Sequence, residues 1–573
     1  MMAPMLKTRA SREFWLLAFT ALLVLGAGLG LRDPWPADEP RFALVAKQMV
    51  ESGDWLFPHR GVELYSDKPP MLMWLQAAAY TVLREWRIAF LLPSLLASLG
   101  TLWCVYDLGR RLWTRRVGLY AAWALLFALQ FTYQSKKAQI DPLVTFWITL
   151  ANYGLLRHLL LGPNWKMWWL GWFAAGLGTI TKGVGVLALV MIAPALFAVW
   201  SRWPRVKLHL RDARFWLAPL AFAAAAAIWL VPMLAAALSN ADPSYRAYVD
   251  DILFNQTANR YAKSWDHAQP PWYFLGVVLT MWLPPMLALP WAVPAWWRRL
   301  RRRDARYLLP LAWWLLILVF FSIPSGKRDV YVMPALPMAC LALAPLLPGI
   351  VRKLWPRRLA SAFAGLLSAG ALTLGLVLLL GDTSFEHKLV EQRGFSGGAQ
   401  ALGWLLAAIG AWGVGSLLWF GRRRAIAAML STLAGLWVLY GLVGHPLLNP
   451  SSSARELMEG VARRIGPQSE LALVAWKEQN LLMSAPMATT FGFVMPWPEQ
   501  LRRGIEWQKQ APQKRWLLVQ EPALDRCIDR SKAELGGLSN RRRWWLVPAA
   551  AVVPGCVPEK SDVPGNAVDA DPD

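Results

Sequence analysis

Polar and apolar positions along this chain fall into long separate blocks instead of alternating. Apolar runs of about 18 to 24 residues recur between short charged stretches, and runs of that length match the hydrocarbon thickness of a bilayer. They predict spans near 14–31, 86–106, 117–133, 139–160, 166–181, 183–200, 214–238, 272–294, 307–323, 330–350, 359–381, 402–421 and 425–444. The fold class expected is therefore an all-α polytopic membrane protein of about 13 transmembrane helices. Residues 32–85 interrupt this rhythm and read as a loop of amphipathic helices lying in the interface, with Trp55, Phe57 and Trp74 as anchors. After the last span the period changes. Leu471–Ala475 and Arg515–Val519 read as short buried strands, and Gln500–Gln510 reads as a helix. A membrane domain over 1–445 is thus followed by a small C-terminal α/β domain over 446–573, whose polar end after Pro558 is expected to be disordered.

Composition agrees with that division. Hydrophobic residues make up 56% of the chain and charged residues 17%, against about 25% charged in soluble domains. The formal net charge of +24 does not point to nucleic acid, because the basic residues form no single face. They cluster at Arg110–Arg116, Arg202–Arg214, Arg298–Arg306, Arg352–Arg358 and Arg422–Arg424, in alternate gaps between spans. The intervening gaps mix signs and carry most of the acids. That asymmetry places the basic gaps in the cytoplasm of a bacterial inner-membrane protein. The loop 32–85, residues 136–141, Lys182, residues 240–272 and 322–329, and the C-terminal domain then face the periplasm. The first span lacks a small-residue cleavage site and reads as a retained helix. The 36 Trp residues suit interfacial anchoring.

Cys104 and Cys340 lie within apolar runs, whereas Cys527 and Cys556 lie in the tail, where an oxidising compartment permits a disulfide. The chain has no P-loop, no GxSxG elbow and no His/Cys zinc spacing.

Every unusual polar motif falls on the periplasmic side. Asp38-Glu39-Pro40-Arg41-Phe42 follows the first span, then Gly53-Asp54-Trp55 and Tyr65-Ser66-Asp67-Lys68-Pro69-Pro70. A carboxylate can orient or deprotonate an acceptor group, and Arg or Lys can neutralise a departing phosphate. Asp141 opens a span before Pro142, as a helix cap or as a site residue. Lys182 lies between two spans, either snorkelling or holding a lipid phosphate. Arg260, His267 and the aromatic Pro270-Pro271-Trp272-Tyr273 offer a further cation, and Ser325, Lys327 and Tyr331 form a last polar cluster. Cations lined by aromatics at one membrane face suit a prenyl-phosphate headgroup.

Taken together, Asp38-Glu39-x-Arg41-Phe42, Gly53-Asp54-Trp55, Lys68-Pro69-Pro70, Asp141, Thr181-Lys182-Gly183, Arg260 with His267-x-x-Pro270, and Ser325-x-Lys327…Tyr331…Pro334-x-x-Pro337 resemble the GT-C glycosyltransferases that use lipid-phosphate sugars. The chain is most similar to the bacterial aminoarabinose transferases that modify lipid A, and more distantly to protein O-mannosyltransferases. The resemblance covers residues 10–350 well and the tail loosely. It implies inverting transfer from a polyprenyl-phosphate sugar, such as 4-amino-4-deoxy-L-arabinose, to lipid A or another envelope glycan in the periplasm. It makes Asp38 the leading catalytic carboxylate, supported by Asp141. Arg41, Lys68, Lys182, Arg260, Lys327 and Tyr331 would bind the donor phosphate, with Glu39, Asp67 and His267 supporting the site or the acceptor. Relatives often carry Glu where this chain has Asp67, near a divalent metal, so the shorter side chain leaves metal ligands unassigned. Two other readings stand beside this one. A protein O-glycosyltransferase would need a general base for a Ser or Thr hydroxyl. A lipid or sugar transporter would place its charges mid-bundle in broken helices and show repeated halves.

Overall fold

The computed structural model describes residues 9–254, 268–381 and 398–565. Among these, six helices are long and apolar enough to cross a membrane: Trp86–Leu112, Ala213–Ser239, Ala305–Ser322, Leu354–Leu380, Ala399–Phe420 and Arg422–Ser452. A seventh crossing is made if Tyr273–Thr280 and Pro285–Arg301, bent by 95°, act as one span. The chain is a multi-pass membrane protein with fewer uninterrupted spans than its hydropathy predicts.

The difference has two physical causes. Three expected spans are unbroken helices, Arg9–Gly26, Ile140–Leu161 and Trp165–Lys182, that are less apolar than the six, and other apolar stretches are broken. The run expected at 117–133 is two helices, Arg115–Leu126 and Leu129–Ser135. The run at 183–200 begins as a 3-10 helix, Val184–Met191, before Ile192–Trp200. Hydropathy counts apolar residues and does not register such breaks. In lipid a broken helix exposes amides that must be paired within the protein. Here two breaks repair each other: the amides of Leu129 and Gln130 donate to the carbonyls of Leu283 and Met281 at 2.9 and 2.8 Å. The buried Trp282 indole donates to the Gln130 side chain at 2.7 Å. Small residues allow close helix approach elsewhere; a Cβ at Gly109 would stand 2.9 Å from the Gly118 Cα.

The loop after the first helix, Arg9–Gly26, holds the helix Glu39–Ser52, a hairpin of β1 (His59–Arg60) and β2 (Glu63–Leu64), and the helix Met71–Leu83. Glu39–Ser52 is not a surface element. Phe42, Val45, Ala46 and Met49 join the bundle core, whereas Leu44 packs with Leu473, Trp476 and Leu481 of the C-terminal segment. This helix is the joint between the two.

The C-terminal segment contains β3 (Glu470–Val474), β4 (Thr489–Thr490), β5 (Arg515–Gln520), β6 (Glu534–Ser539) and β7 (Arg542–Val547), in the spatial order β4-β3-β5-β7-β6. β3 runs parallel to β4 and β5, and β7 antiparallel to β5 and β6. The helices Arg455–Ile465 and Trp497–Lys509 supply apolar faces to its two sides, as in Leu457 against Leu518 and Leu501 against Leu517. Cys527 and Cys556 form a disulfide with Cα atoms 5.3 Å apart, while Cys104 and Cys340 are buried free thiols. Of the polar end expected to be disordered, residues 566–573 lie outside the described residues.

A second tie fastens this segment to the bundle. The Asp33 carboxylate is fully buried and receives Arg87 at 3.0 Å, Asn449 at 3.0 Å, Ser453 at 3.1 Å and Arg455 at 2.6 Å.

Candidate active site

The residues singled out by motif form two groups that meet at the start of the helix Ile140–Leu161. The first centres on the joint helix. Asp38 occupies its N-cap position without capping it, so the carboxylate is available for other partners. It accepts a hydrogen bond from the Gln139 side chain at 3.1 Å and lies 3.7 Å from the Arg41 guanidinium. Arg41 in turn donates through Nε to Glu478 at 2.9 Å. Burial works against the Arg41 charge, but Glu478, with Tyr65 and Asp38, together more than offset it and raise the pKa above that of free arginine.

The β1–β2 hairpin adds Arg60, whose Nη1 lies 3.7 Å from both Asp67 and Glu478. Tyr65 is buried beside it. Burial, then the Asp67 charge, pushes its hydroxyl pKa up. Lys68 donates to the carbonyl of Asp67 at 2.9 Å.

The second group lies in the bundle. Asp141 sits in the first turn of Ile140–Leu161, where Gln139 holds the N-cap position. Its carboxylate pairs directly with Lys182 rather than capping the helix. Lys182 also lies 5.2 Å from the centre of the Tyr331 ring. Gln139 connects the groups, since it bonds to Asp38 and lies two positions before Asp141.

Two expected site residues have other tasks. Lys327 is 3% exposed, and its ammonium donates to the carbonyls of Gln269, Pro324 and Ser325 at 3.0, 2.5 and 3.4 Å. An ammonium has three donors, so none remains for a phosphate; Lys327 clamps the turn before Tyr331. Glu39 is buried and engaged by the Arg32 fork and by the amides of Trp35 and Ala138, both at 2.8 Å. Burial opposes its charge, yet the Arg32 charge holds its pKa below the usual carboxylate range. It fastens the loop to residues 136–138. Arg260 and His267 lie outside the described residues.

The two groups share one end of the bundle. Arg32 donates to the Lys136 carbonyl at 2.9 Å, at one end of the short helix Leu129–Ser135. At its other end the Gln130 side chain donates to the Asp329 carbonyl at 2.8 Å. The loop motifs and the Tyr331 turn therefore flank a single short helix.

Arg60 and Glu478 were not singled out from the sequence. Glu478 lies just beyond a predicted strand, at its carboxyl end, where polar residues often serve sites in sheets with parallel pairing. That position was its only signal. The Arg60 cation stands 3.7 Å from Asp67, and among the described residues no three His, Cys, Asp or Glu side chains come together to hold a metal.

Comparison with known proteins places this arrangement. The profile of the dolichyl-phosphate-mannose-protein mannosyltransferase family matches residues 67–231. The undecaprenyl phosphate-alpha-4-amino-4-deoxy-L-arabinose arabinosyl transferase of Pseudomonas aeruginosa (strain UCBPP-PA14) is 30% identical over 457 residues, covering 76% of each chain. The protein of the same name from Pectobacterium carotovorum (strain PC1) is 29% identical over 377 residues, covering 63% of this chain and 66% of its own. Among solved structures, ArnT from Cupriavidus metallidurans bound to undecaprenyl phosphate superposes with a TM-score of 0.72 at 18% identity, covering 95% of this chain and 100% of that one. That superposition shows the GT-C fold. By the breadth of its sequence match, the chain is a glycosyltransferase and belongs to the undecaprenyl phosphate-aminoarabinose arabinosyl transferase family.

Proposed function

We propose that this protein moves 4-amino-4-deoxy-L-arabinose from undecaprenyl phosphate to a phosphate of lipid A, at the periplasmic face of the bacterial inner membrane. The observation that carries the reading is the meeting of Asp38 and Arg41 with the Asp141–Lys182 pair at one end of the bundle. Such a site fits a reaction in which both substrates are lipid-anchored phosphates.

In this reading an oxygen of the acceptor phosphate attacks the anomeric carbon while the bond from that carbon to the carrier phosphate oxygen breaks. The carrier phosphate leaves with the electron pair. Arg41, Lys68 and Lys182 neutralise its growing charge, which is where fixed cations act most strongly. An acceptor phosphate is already anionic, so Asp38 orients it and the sugar instead of removing a proton. Tyr331 lines the donor side next to Lys182.

The bundle over residues 1–445, with broken helices counted among about 13 crossings, is the catalytic domain, and residues 446–573 form a periplasmic domain over it. The alternating basic gaps support that orientation. Mass spectrometry of envelope glycolipids from cells with and without the gene tests the reading. Loss of a pentosamine adduct from lipid A is expected; unchanged lipid A with underglycosylated periplasmic proteins would move the acceptor to protein.

A further inference from the structure

Arg60 stands apart from the buried Arg32 and the partly exposed Arg41. Arg32 closes its fork on Glu39, with one contact at 2.6 Å, and Arg41 donates to Glu478 at 2.9 Å. The Arg60 side chain is 9% exposed. Yet among the described residues its Nε has no partner, and Nη1 comes no nearer than 3.7 Å to Asp67 or Glu478, beyond hydrogen-bond reach. A guanidinium removed from water without hydrogen bonds is unfavourable unless an anion completes it.

The residue is nevertheless firmly placed. Gln48 makes two hydrogen bonds to the backbone of the adjacent Gly61, at 2.8 and 3.0 Å. Glu63, across the hairpin, accepts the Val494 amide at 3.3 Å. The guanidinium carbon lies 4.0 Å from the centre of the Phe493 ring and 5.4 Å from that of Tyr65. The buried Tyr65 hydroxyl also lacks a partner among the described residues. One oxygen of Glu478 faces both Arg41 and Arg60, so the two cations flank one point. Asp67 is the more exposed of the two carboxylates beside Arg60, with 36% of its side chain in solvent against 5% for Glu478.

We propose that Arg60 is a phosphate-binding residue, offering its unpartnered Nε and neighbouring Nη2 hydrogens side by side to two oxygens of a lipid-linked phosphate. Guanidinium forks match phosphate in this bidentate way. The inference rests on the proposed function and adds a site built jointly by the loop hairpin and the C-terminal segment. The phosphate belongs either to the undecaprenyl carrier or to the acceptor.

The test uses the full chain in nanodiscs, with undecaprenyl phosphate-aminoarabinose as donor and bisphosphorylated lipid A as acceptor, varying each in turn. Arg60→Met is expected to raise one KM about tenfold or more, the size of one lost charged contact, with kcat changed far less. Arg60→Lys, which keeps the charge but loses the fork, is expected to recover only part. A rise confined to donor KM assigns the carrier phosphate, and one confined to acceptor KM assigns lipid A. If both KM values stay within about twofold in Arg60→Met, the proposal is overturned. Should that variant not fold, unchanged KM values in Arg60→Lys overturn it equally. A wild-type protein inactive with both lipids would instead refute the proposed function.

Discussion

Arg41 and Glu478, 437 positions apart in sequence, are joined by a 2.9 Å hydrogen bond between guanidinium and carboxylate. This contact makes the C-terminal segment part of the candidate site and not merely a cover over it. Glu478 is nearly buried, with 5% of its side chain exposed, and it holds the cation that the motif places next to Asp38.

Glu478→Ala is therefore expected to act on both stability and chemistry. A hydrogen bond to a charged group contributes about 1.5–3 kcal/mol, so thermal unfolding in detergent should come several degrees earlier. Donor KM should rise, because Arg41 loses its orienting partner. Glu478→Gln retains an acceptor and should fall between the two. Equal KM values in all three proteins would show that Arg41 needs no such support.

The pairing of Lys182 with Asp141 leads to a different expectation. Lys182→Met leaves a mostly buried carboxylate without its counter-charge and removes a cation from the departing phosphate. Loss of one such preorganised contact reduces turnover by about 10²–10³-fold. Lys182→Arg should restore part of it. Steady-state transfer by membranes matched for protein abundance checks this.

Lys327→Met should separate structure from catalysis. Its ammonium binds three carbonyls, so the variant should lower stability by about 1–3 kcal/mol. Donor KM in the surviving folded fraction should stay near that of the wild type. A large KM increase at unchanged stability would return Lys327 to the phosphate site.

The buried Asp33 makes stability depend on acid. Burial alone would raise its pKa, but hydrogen bonds from Arg455, Asn449 and Arg87 outweigh that and hold it well below the usual carboxylate range. A depressed folded pKa gives stability that is complete above the unfolded value of about 3.9 and is lost as pH falls through the folded one. Unfolding of the C-terminal segment should be insensitive to this group near neutrality and should become easier below about pH 4. In Asp33→Asn that acid dependence should flatten.

Much of this was legible from apolar run length and from the offsets of charged residues. The two parallel strands read at Leu471–Ala475 and Arg515–Val519 are β3 and β5, paired from Glu470↔Arg515 to Val474↔Val519. Continuous Leu and Val make such central strands visible. The β6–β7 hairpin was not visible. Gly536 and Gly537 interrupt its alternation at a bulge, and the consecutive charges Arg541, Arg542 and Arg543 leave the turn and the start of β7 without an apolar pattern. Asp38, Arg41, Asp141 and Lys182 could be singled out because charges beside apolar spans are unusual. Glu39 and Lys327 share that property, and only three-dimensional partners distinguish them. Arg60 and Glu478 carried no comparable signal, since a charge in a polar loop or after a strand is ordinary. Their relation exists only because Glu39–Ser52 packs on both sides.

The most direct test is transfer by the purified full chain in proteoliposomes, from undecaprenyl phosphate-aminoarabinose to lipid A, comparing wild type with Asp38→Asn. The account predicts product with the wild type and a loss of about 10²-fold or more in Asp38→Asn at unchanged melting temperature. Undiminished turnover in Asp38→Asn would contradict it.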